Sequence, residues 1–173
     1  MKIARYCAQN QWVPNDDWSI EFRPGHIFGN VKLVRETVKK YTIQEGFCLK
    51  RIKNDRHRFI AMCNNEACDW RIHVSRLTDG VTFMVRNIQG GHSFCQRLPE
   101  NKEASSEWII SSMGSTILAN SDIKSKVLKN ELLDKFAIHC GSETIYRAKK
   151  KVLNNMKVNH IRGLRITGML SLR

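Results

Sequence analysis

The sequence has no run of apolar residues that approaches the roughly 20 needed to cross a bilayer. It also has no apolar segment near its start, because positions 1–14 mix polar and aromatic side chains, unlike a secretory signal peptide. These two absences predict a soluble intracellular protein with no membrane partner. Such a compartment is reducing, so metal-bound thiolates explain the six cysteines better than disulfides do.

Acidic residues are scarce: Asp and Glu number 16 against 29 Lys and Arg, and the net charge is +13. This surplus favours a polyanionic partner. A basic RNA-associated protein, or simply a solvated basic surface, fits the charge as well. Clustered carboxylates for a two-metal nuclease site are also lacking, since only Glu143 is acidic after Asp134. The sequence therefore predicts that the protein is not an enzyme.

Apolar residues make up 42% of the chain, enough for a core in one domain or two small ones. Residues 1–20 show no periodicity and are predicted to be a loose leader, in which Trp12 and Trp18 pack locally at most. A short strand and turn is predicted within residues 22–28. Steps of three and four between apolar residues then predict a helix from Asn30, its N-cap, to about Gln44, with Gly46 as its end.

Alternation of apolar and polar residues predicts four strands after this helix, over residues 47–53, 58–63, 70–77 and 81–88. The last two strands are joined by the turn residues Asp79 and Gly80. Their predicted inward positions are Trp70, Ile72, Val74, Val81, Phe83 and Val85. His73 points the other way and is interpreted as an exposed or packed histidine.

The pattern becomes helical after a predicted linker over residues 98–104. Three helices are predicted, over about 105–120, over 124–136 and from 142 onward, with Ser105 or Ser106 capping the first and Ser142 the third. Together they form a helical domain over 105–157 that resembles a helix-turn-helix. Its predicted apolar positions are Trp108, Ile109, Met113, Ile117, Leu118, Val127, Leu128, Leu132, Phe136, Ile145, Ala148 and Val152. Residues 158–173 are predicted to be an irregular basic tail.

Cys63, Cys68, His92 and Cys95 read C-x4-C-x23-H-x2-C, two close pairs separated by about one β-hairpin. Thiolate and imidazole are the ligands of closed tetrahedral zinc sites, and four protein ligands leave no open position for catalysis. We therefore predict a structural Zn2+ that ties strand ends together in a domain over 21–97. Its thin core, in roughly 80 residues, makes a metal a substantial source of folding free energy.

Two other interpretations of these residues remain. In the first, the three cysteines are buried free thiols, as small apolar residues often are, and the histidine lies on the surface. Cys7, Cys48 and Cys140 lack paired partners and are interpreted as cysteines without a special role. A nucleophilic cysteine activated by His92 would need an orienting third group, and no local motif supplies one. The predicted fold class is accordingly α+β: a small zinc-stapled antiparallel sheet with one packed helix, followed by a three-helix segment.

These residues resemble the N-terminal zinc-binding domain of the MuDR transposases of plant Mutator-like elements, related to the WRKY and glial-cells-missing zinc fingers. The resemblance is carried by Phe22-x-x-Gly25-x-x-Phe28, the helix after it, residues 58–63, Cys68-Asp69-Trp70-Arg71-Ile72 and the His92/Cys95 pair. A weaker likeness continues through Ser106-Glu107-Trp108-Ile109 and Tyr146-Arg147-Ala148-Lys149. Together it covers roughly residues 20–157. The family usually ends its zinc motif His-x-Cys, whereas two residues separate His92 from Cys95 here.

The resemblance implies a nuclear protein that binds double-stranded DNA, such as transposon terminal inverted repeats, through a strand of its sheet. Whether the protein forms homo-oligomers is left open by the sequence. Such transposases continue into a catalytic RNase-H-like domain, and the sequence after His160 does not look like it. We therefore expect a truncated or domesticated fragment without a catalytic domain. A β-ribbon enters the major groove while Lys and Arg contact phosphates. The candidate contacts are Lys50, Arg51, Lys53, Arg56, Arg58, Arg71 and Arg76 on the sheet, and Arg147, Lys149, Lys150 and Lys151 on the third helix.

The alternative function is a zinc-stabilised protein-interaction or dimerisation module, of the kind found in transcription regulators, whose basic charge is incidental. Each candidate cation taken singly is as well explained by a solvated surface charge. The basic residues after Ser142 would also serve as a nuclear localisation patch.

Overall fold

The computed structural model describes residues 10–13, 19–92 and 95–170, with residues 157–170 described by their backbone alone. The chain divides into two compact units, Met1–Glu103 and Ala104–Arg173. The first holds a sheet and one helix, and the second holds three helices. Among the described residues, no helix has the length and apolar character that crossing a membrane requires.

Five antiparallel strands form the sheet: β1 (Ile27–Phe28), β2 (Leu49–Asn54), β3 (Arg58–Cys63), β4 (Arg71–Arg76) and β5 (Phe83–Gln89). Their order is β1-β5-β4-β3-β2, so that β1 and β2 are the edges. The four strands predicted between residues 47 and 88 are confirmed as β2 to β5, and the short strand predicted before the first helix is β1.

Helix α1 (Val31–Glu45) precedes β2 and is confirmed with both predicted ends. The Asn30 side chain accepts a hydrogen bond from the Leu33 amide at 2.9 Å, which satisfies one of the free donors of the first turn. Gly46 ends the helix at φ 72°, a left-handed conformation that glycine adopts without steric cost. The apolar stripe of α1, with Val34 and Val38 fully buried, packs on one face of the sheet.

Residues that alternate along β3, β4 and β5 build the other half of this core. They are Phe59, Ala61, Ile72, Val74, Phe83 and Val85, all buried. Part of the predicted leader also joins the core, because Trp12 stacks on Phe28 with ring centroids 5.5 Å apart and its amide donates to the Ile27 carbonyl. Trp18 lies outside the described residues.

The segment predicted as a linker, 98–104, is anchored to the end of α1. Asn101 is buried and its side-chain amide donates to the carbonyls of Thr42 and Phe47, each at 3.0 Å. Leu98 donates its amide to the Gly46 carbonyl, and Glu103 pairs with Arg51 at 2.7 Å. These contacts satisfy carbonyls that a helix C-terminus leaves without partners, so most of the segment belongs to the first unit.

The second unit contains α2 (Ser106–Ala119), α3 (Ser125–Phe136) and α4 (Ser142–Leu170). Ser105, one of the two predicted caps, accepts from the Trp108 amide at 3.4 Å. Trp108 meets Phe136 edge to face, with ring centroids 5.1 Å apart. The predicted core positions that are buried are Trp108, Ile109, Met113, Ile117, Leu128, Leu132, Ile145, Ala148 and Val152.

Three positions predicted to be inward are exposed: Val81 by 62%, Leu118 by 48% and Val127 by 45%. Val81 lies in the turn before β5, where the Asp79 carboxylate accepts from its amide. Leu118 and Val127 each adjoin a fully buried residue, and one step along a helix rotates the side chain by about 100°. The apolar stripes of α2 and α3 are therefore narrower than the sequence indicated.

Helix α4 continues to Leu170, whereas an irregular tail was expected over 158–173. No proline interrupts residues 142–170, so that every backbone amide there is available for the helix. Residues 171–173 of the predicted tail lie outside the described residues.

Replacing Asn101 by Ala is expected to destabilise the first unit by about 1–3 kcal/mol, because the Phe47 carbonyl loses its Asn101 donor and the segment loses its buried side-chain link to the end of α1. Denaturant unfolding followed by tryptophan fluorescence measures this, in a Trp108→Phe background in which the remaining tryptophans belong to the first unit. Lys102→Ala removes an exposed neighbour and should leave the midpoint unchanged. Equal midpoints for the two variants would contradict the anchoring role of Asn101.

Candidate metal centre and nucleic-acid interface

The four predicted metal ligands lie at one end of the central strands of the sheet. Cys63 is the last residue of β3, and Cys68 lies in the turn between β3 and β4. His92 and Cys95 follow the end of β5. Because β3, β4 and β5 are adjacent and antiparallel, the end of β3, the start of β4 and the end of β5 lie side by side at the same end of these strands.

The donor atoms of these four side chains all lie within 4.8 Å of one another. The Sγ atoms of Cys63 and Cys95 are 3.8 Å apart, and Cys68 Sγ is 3.5 Å from His92 Nδ1. Tetrahedral zinc with bonds of about 2.3 Å to sulfur and 2.0 Å to nitrogen would set these separations at roughly 3.8 and 3.5 Å. The spacing of the donors fits a metal ion of that size.

Aromatic side chains hold the imidazole in place. The rings of Phe47 and His92 stack with centroids 3.7 Å apart at 24°, and the Trp70 ring lies 5.3 Å from His92 on the same core. Burial lowers the pKa of His92, so that the imidazole is neutral at pH 7 and able to ligate. Sequence spacing had indicated the ligands, but not this packing.

Burial is the main cause that raises the pKa of the Cys63 thiol to about 12, with further contributions from the Cys68 and Cys95 thiols. Burial likewise raises the pKa of Cys95. A catalytic cysteine needs the opposite, a stabilised thiolate, so these shifts argue against the nucleophile interpretation. A metal cation would supply the positive charge that three crowded sulfurs need.

Asn65 organises the turn that carries Cys68, a role that the sequence analysis missed. Its backbone amide lies 3.5 Å from Cys63 Sγ, its side-chain nitrogen is 3.8 Å from Cys95 Sγ, and its carbonyl accepts from the Cys68 amide at 3.0 Å. These contacts orient two sulfurs, those of Cys63 and Cys95, and fix the backbone that carries the third. The Asn-Asn-Glu stretch after Cys63 was a turn signal that could have indicated it.

Gly90 allows the two halves of the cluster to approach. It has φ 68°, and a Cβ at this position would collide with the Asp69 side chain and lie 2.8 Å from the Asp69 carbonyl carbon. Only glycine combines this conformation with such a close backbone approach. The turn into His92 therefore depends on it.

Among the side chains that the structure describes, in residues 10–13, 19–92 and 95–156, this is the one group of three or more His, Cys, Asp or Glu placed to hold a metal. Cys48 is half-buried and Cys140 is buried, both as free cysteines apart from the cluster. Cys7 lies outside the described residues.

The basic candidates on the sheet divide between its two faces. Cross-strand partners point to the same side of a sheet, and the pairs Lys50–Met62 and Met62–Arg71 place both cations away from α1. The partners Lys53 and Ile60 lie on that side as well. We call this surface the open face; it carries Lys50, Lys53, Arg58, Arg71, His73, Arg86, Asn87 and Gln89.

The other sheet candidates are not grouped with these. Arg51 pairs with Ala61 on the α1 side and forms the ion pair with Glu103. Arg76 pairs with Phe83, also on the α1 side, and donates to the Gly80 carbonyl at 3.3 Å. Arg56 is exposed in the turn between β2 and β3.

Arg86 is an open-face cation that the sequence analysis did not single out. Alternation with Phe83 and Val85, which face α1, already places Arg86 on the open face. Its Nε donates to the Ser75 hydroxyl at 2.6 Å. The register shift opposite His73 and Val74 is a bulge that brings Asn87 and Gln89 to the same face, and the position of a bulge is not readable from a period of two.

The four basic candidates on α4 have partners within their own unit. Arg147 pairs with Glu143 at 2.8 Å, and Lys151 pairs with Glu107 at 2.5 Å. Lys149 donates to the Ile123 carbonyl at 2.8 Å, and Lys150 lies 5.9 Å from the centre of the Tyr146 ring. These contacts give each side chain a role in the helical unit.

Asn65→Ala is expected to weaken metal binding by about tenfold or more, as loss of a partner behind the ligands usually does. Competition with a chromophoric chelator measures the affinity. Asn64→Ala changes the exposed neighbour and should bind metal like the wild type. Unchanged affinity of the Asn65 variant would remove Asn65 from the site.

Comparison with known proteins gives three results. No curated protein matches the chain. One solved structure, described as the crystal structure of AFT2 in complex with DNA, is 13% identical with a TM-score of 0.30 and covers 76% of this chain and 91% of that one. A TM-score this low identifies neither a shared fold nor a shared ligand.

The third result is a family match. Residues 19–85 match the family model described as MuDR family transposase. This range runs from before β1 into β5 and includes Cys63 and Cys68, whereas His92 and Cys95 lie beyond its end. The resemblance to the MuDR-type transposase domain, predicted from the sequence, is thus confirmed over residues 19–85.

Proposed function

We propose that the sheet unit is a zinc-stabilised module, derived from a Mutator-like transposase, that binds double-stranded DNA. One observation carries this proposal: β2 to β5 hold no Asp or Glu, and most of their basic residues, all but Arg51 and Arg76, lie on the open face. The family match supports it. A positively charged surface without acidic residues, carried on a sheet, suits a polyanion.

Zinc is the metal that the donors favour. Three thiolates and one imidazole form a soft, nitrogen-containing set that selects zinc over magnesium or calcium, which prefer oxygen. Four protein ligands would complete a tetrahedron and leave no position for substrate. We therefore assign Cys63, Cys68, His92 and Cys95 to a structural site, and we propose that this unit binds DNA without cutting it.

The edge strand β2 is the proposed reading element. It is exposed along nearly its whole length, and with β3 it forms the hairpin at the edge of the sheet that ends in the turn at Arg56. The major groove, about 12 Å wide, admits such a hairpin. In this arrangement Lys50, Lys53 and Arg58 reach phosphates, while Arg51 and Arg76 act mainly through their charge.

The basic residues of α4 would add to the attraction in a different way. Because Arg147, Lys149, Lys150 and Lys151 have intramolecular partners, we assign them long-range attraction rather than defined phosphate contacts. Binding to DNA implies work in the nucleus, and transposon terminal inverted repeats are the target class that the family suggests.

A second candidate function rests on the helical unit. Leu118, Val127 and Tyr146 are large and about half exposed, and exposed apolar groups are used in protein contacts. This supports a protein-interaction or dimerisation role for α2 to α4. Sedimentation of the protein with and without DNA separates the two: self-association without DNA favours the second role.

Replacing Cys63 and Cys68 together by Ser is expected to unfold the sheet unit and abolish DNA binding, because strand ends lose their shared ion. Zinc per chain, far-ultraviolet circular dichroism and duplex binding should fall together. Cys48→Ser is the matched control, since this cysteine is outside the cluster. A double variant that still binds DNA without zinc would refute the structural role.

Binding to a random duplex is expected to weaken steeply with salt, by a slope of about −0.9 per neutralised phosphate. Lys50→Ala with Lys53→Ala should reduce that slope by about 2. Fluorescence anisotropy over a salt series measures it.

Lys32→Ala with Lys40→Ala is the control for charge, because it removes two exposed cations from α1, on the opposite side of the sheet. If both pairs of substitutions have the same effect, the open face is not the interface. A flat salt dependence for the wild type would favour the protein-interaction role.

A further inference from the structure

A recess on the open face has features that DNA binding through β2 does not use. It has a volume of about 200 Å³ and is lined by Arg71, His73, Asn87 and Gln89. The lining residues pair across β4 and β5, Arg71 with Gln89 and His73 with Asn87. The recess is therefore built from two cross-strand pairs on rigid backbone, away from the edge strand.

The chemistry of the lining suits an anion. It combines one guanidinium, one imidazole and two amides, with no carboxylate. Arginine and amide N–H groups are the donors that proteins use for phosphate oxygens. Two neutral amides alone would also suit a base edge, but the surrounding charge favours the anion.

His73 gives a second, independent indication. Its Nε2 atom is buried and has no hydrogen-bond partner among the described residues. Buried polar atoms are nearly always satisfied, so an orphan invites a ligand or an ordered water. In the tautomer that carries its proton on Nε2, His73 can donate one hydrogen bond.

The surrounding electrostatics agree. Burial, followed by the charges of Arg71, Arg58 and Arg86, lowers the pKa of His73. Three guanidiniums from three different strands thus act on one imidazole. An anion placed among them would be attracted by all three. The recess of about 200 Å³ has room for several waters at about 30 Å³ each, and therefore for one phosphate group.

We propose that this recess binds a single phosphate group through Arg71, His73, Asn87 and Gln89. Neighbouring strands are about 4.8 Å apart, so the recess lies roughly 12 Å from β2, beside rather than inside a groove that holds that strand. A backbone phosphate beside the groove would then occupy the recess and fix the position of the sheet along the duplex. That the phosphate belongs to DNA rests on the proposed function; phosphate binding itself does not.

The first test uses the zinc-loaded full chain and inorganic phosphate at constant ionic strength. Two-dimensional NMR should show saturable shifts of the Arg71 Nε–H and of the Asn87 and Gln89 side-chain amides. Arg71→Ala should weaken the binding by about tenfold or more. Asn87→Ala should weaken it with no change of net charge. Arg76→Ala, which removes the same charge from the α1 side of the same strand, should leave it intact.

The second test uses random duplex DNA. Arg71→Ala should reduce the salt slope by about 1 and weaken binding equally for different sequences, whereas Lys40→Ala, which removes an exposed cation from α1, should not. If Arg71→Ala weakens binding for one sequence only, the group is a base contact and the phosphate assignment is wrong.

The two proposals fail separately. If the wild type binds phosphate but no DNA, the recess stands as a site for a free phosphate group and the DNA function fails. If it binds DNA without a saturable response to phosphate, and Arg71→Ala changes nothing, the recess proposal is overturned and the DNA function stands.

Discussion

Four donor atoms of the sheet unit meet where β3 and β5 end and β4 begins, and they could hold a metal ion. β3, β4 and β5 are short, and one helix covers one face of the sheet, so the apolar core is thin for the number of strands that it must hold. The ends of β3 and β5 are also where the chain leaves the sheet and where pairing is weakest. The Cys63–Cys68 turn and the His92–Cys95 turn are brought together at that point. A cation there would join two turns that are distant in sequence.

The same alternation that builds the core leaves the opposite face free for charge. In β3 and β4, Phe59, Ala61, Ile72 and Val74 turn toward α1 and are buried, while their neighbours in sequence turn outward. Those outward positions hold Arg58, Arg71 and His73 on the open face. A one-residue slip in register would exchange the two faces. Holding the strand ends in register therefore protects the basic surface as well as the core.

Much of this arrangement could be predicted from the sequence. Strong local patterns gave α1 with both of its ends, the strands β2 to β5, the three later helices and the four residues of the metal cluster. The predictions that failed depend on features without a local pattern. Val81 was assigned inward because it fits the alternation, but it lies in the turn that Asp79 stabilises, and β5 begins only at Phe83. Within the segment predicted as a linker, Asn101 reaches back to α1 over a distance in sequence that no periodicity reports.

The nucleic-acid candidates show the same limit. Composition indicated that the surface is basic, but the register shift between Arg51 and Lys53 is what places Lys53 on the same face as Lys50. The bulge in β5 likewise brings Asn87 and Gln89 to the open face. Asn65, Gly90 and the recess around His73 likewise depend on contacts across strands.

The most direct test of the account is stepwise removal of metal from the wild-type protein by a strong chelator. Bound zinc, the circular dichroism of the sheet and binding to duplex DNA should be followed in the same samples. The account predicts one zinc ion per chain and a joint loss of sheet structure and DNA binding, restored together when zinc is returned. A chain that remains cooperatively folded and still binds DNA after all metal is gone would contradict it.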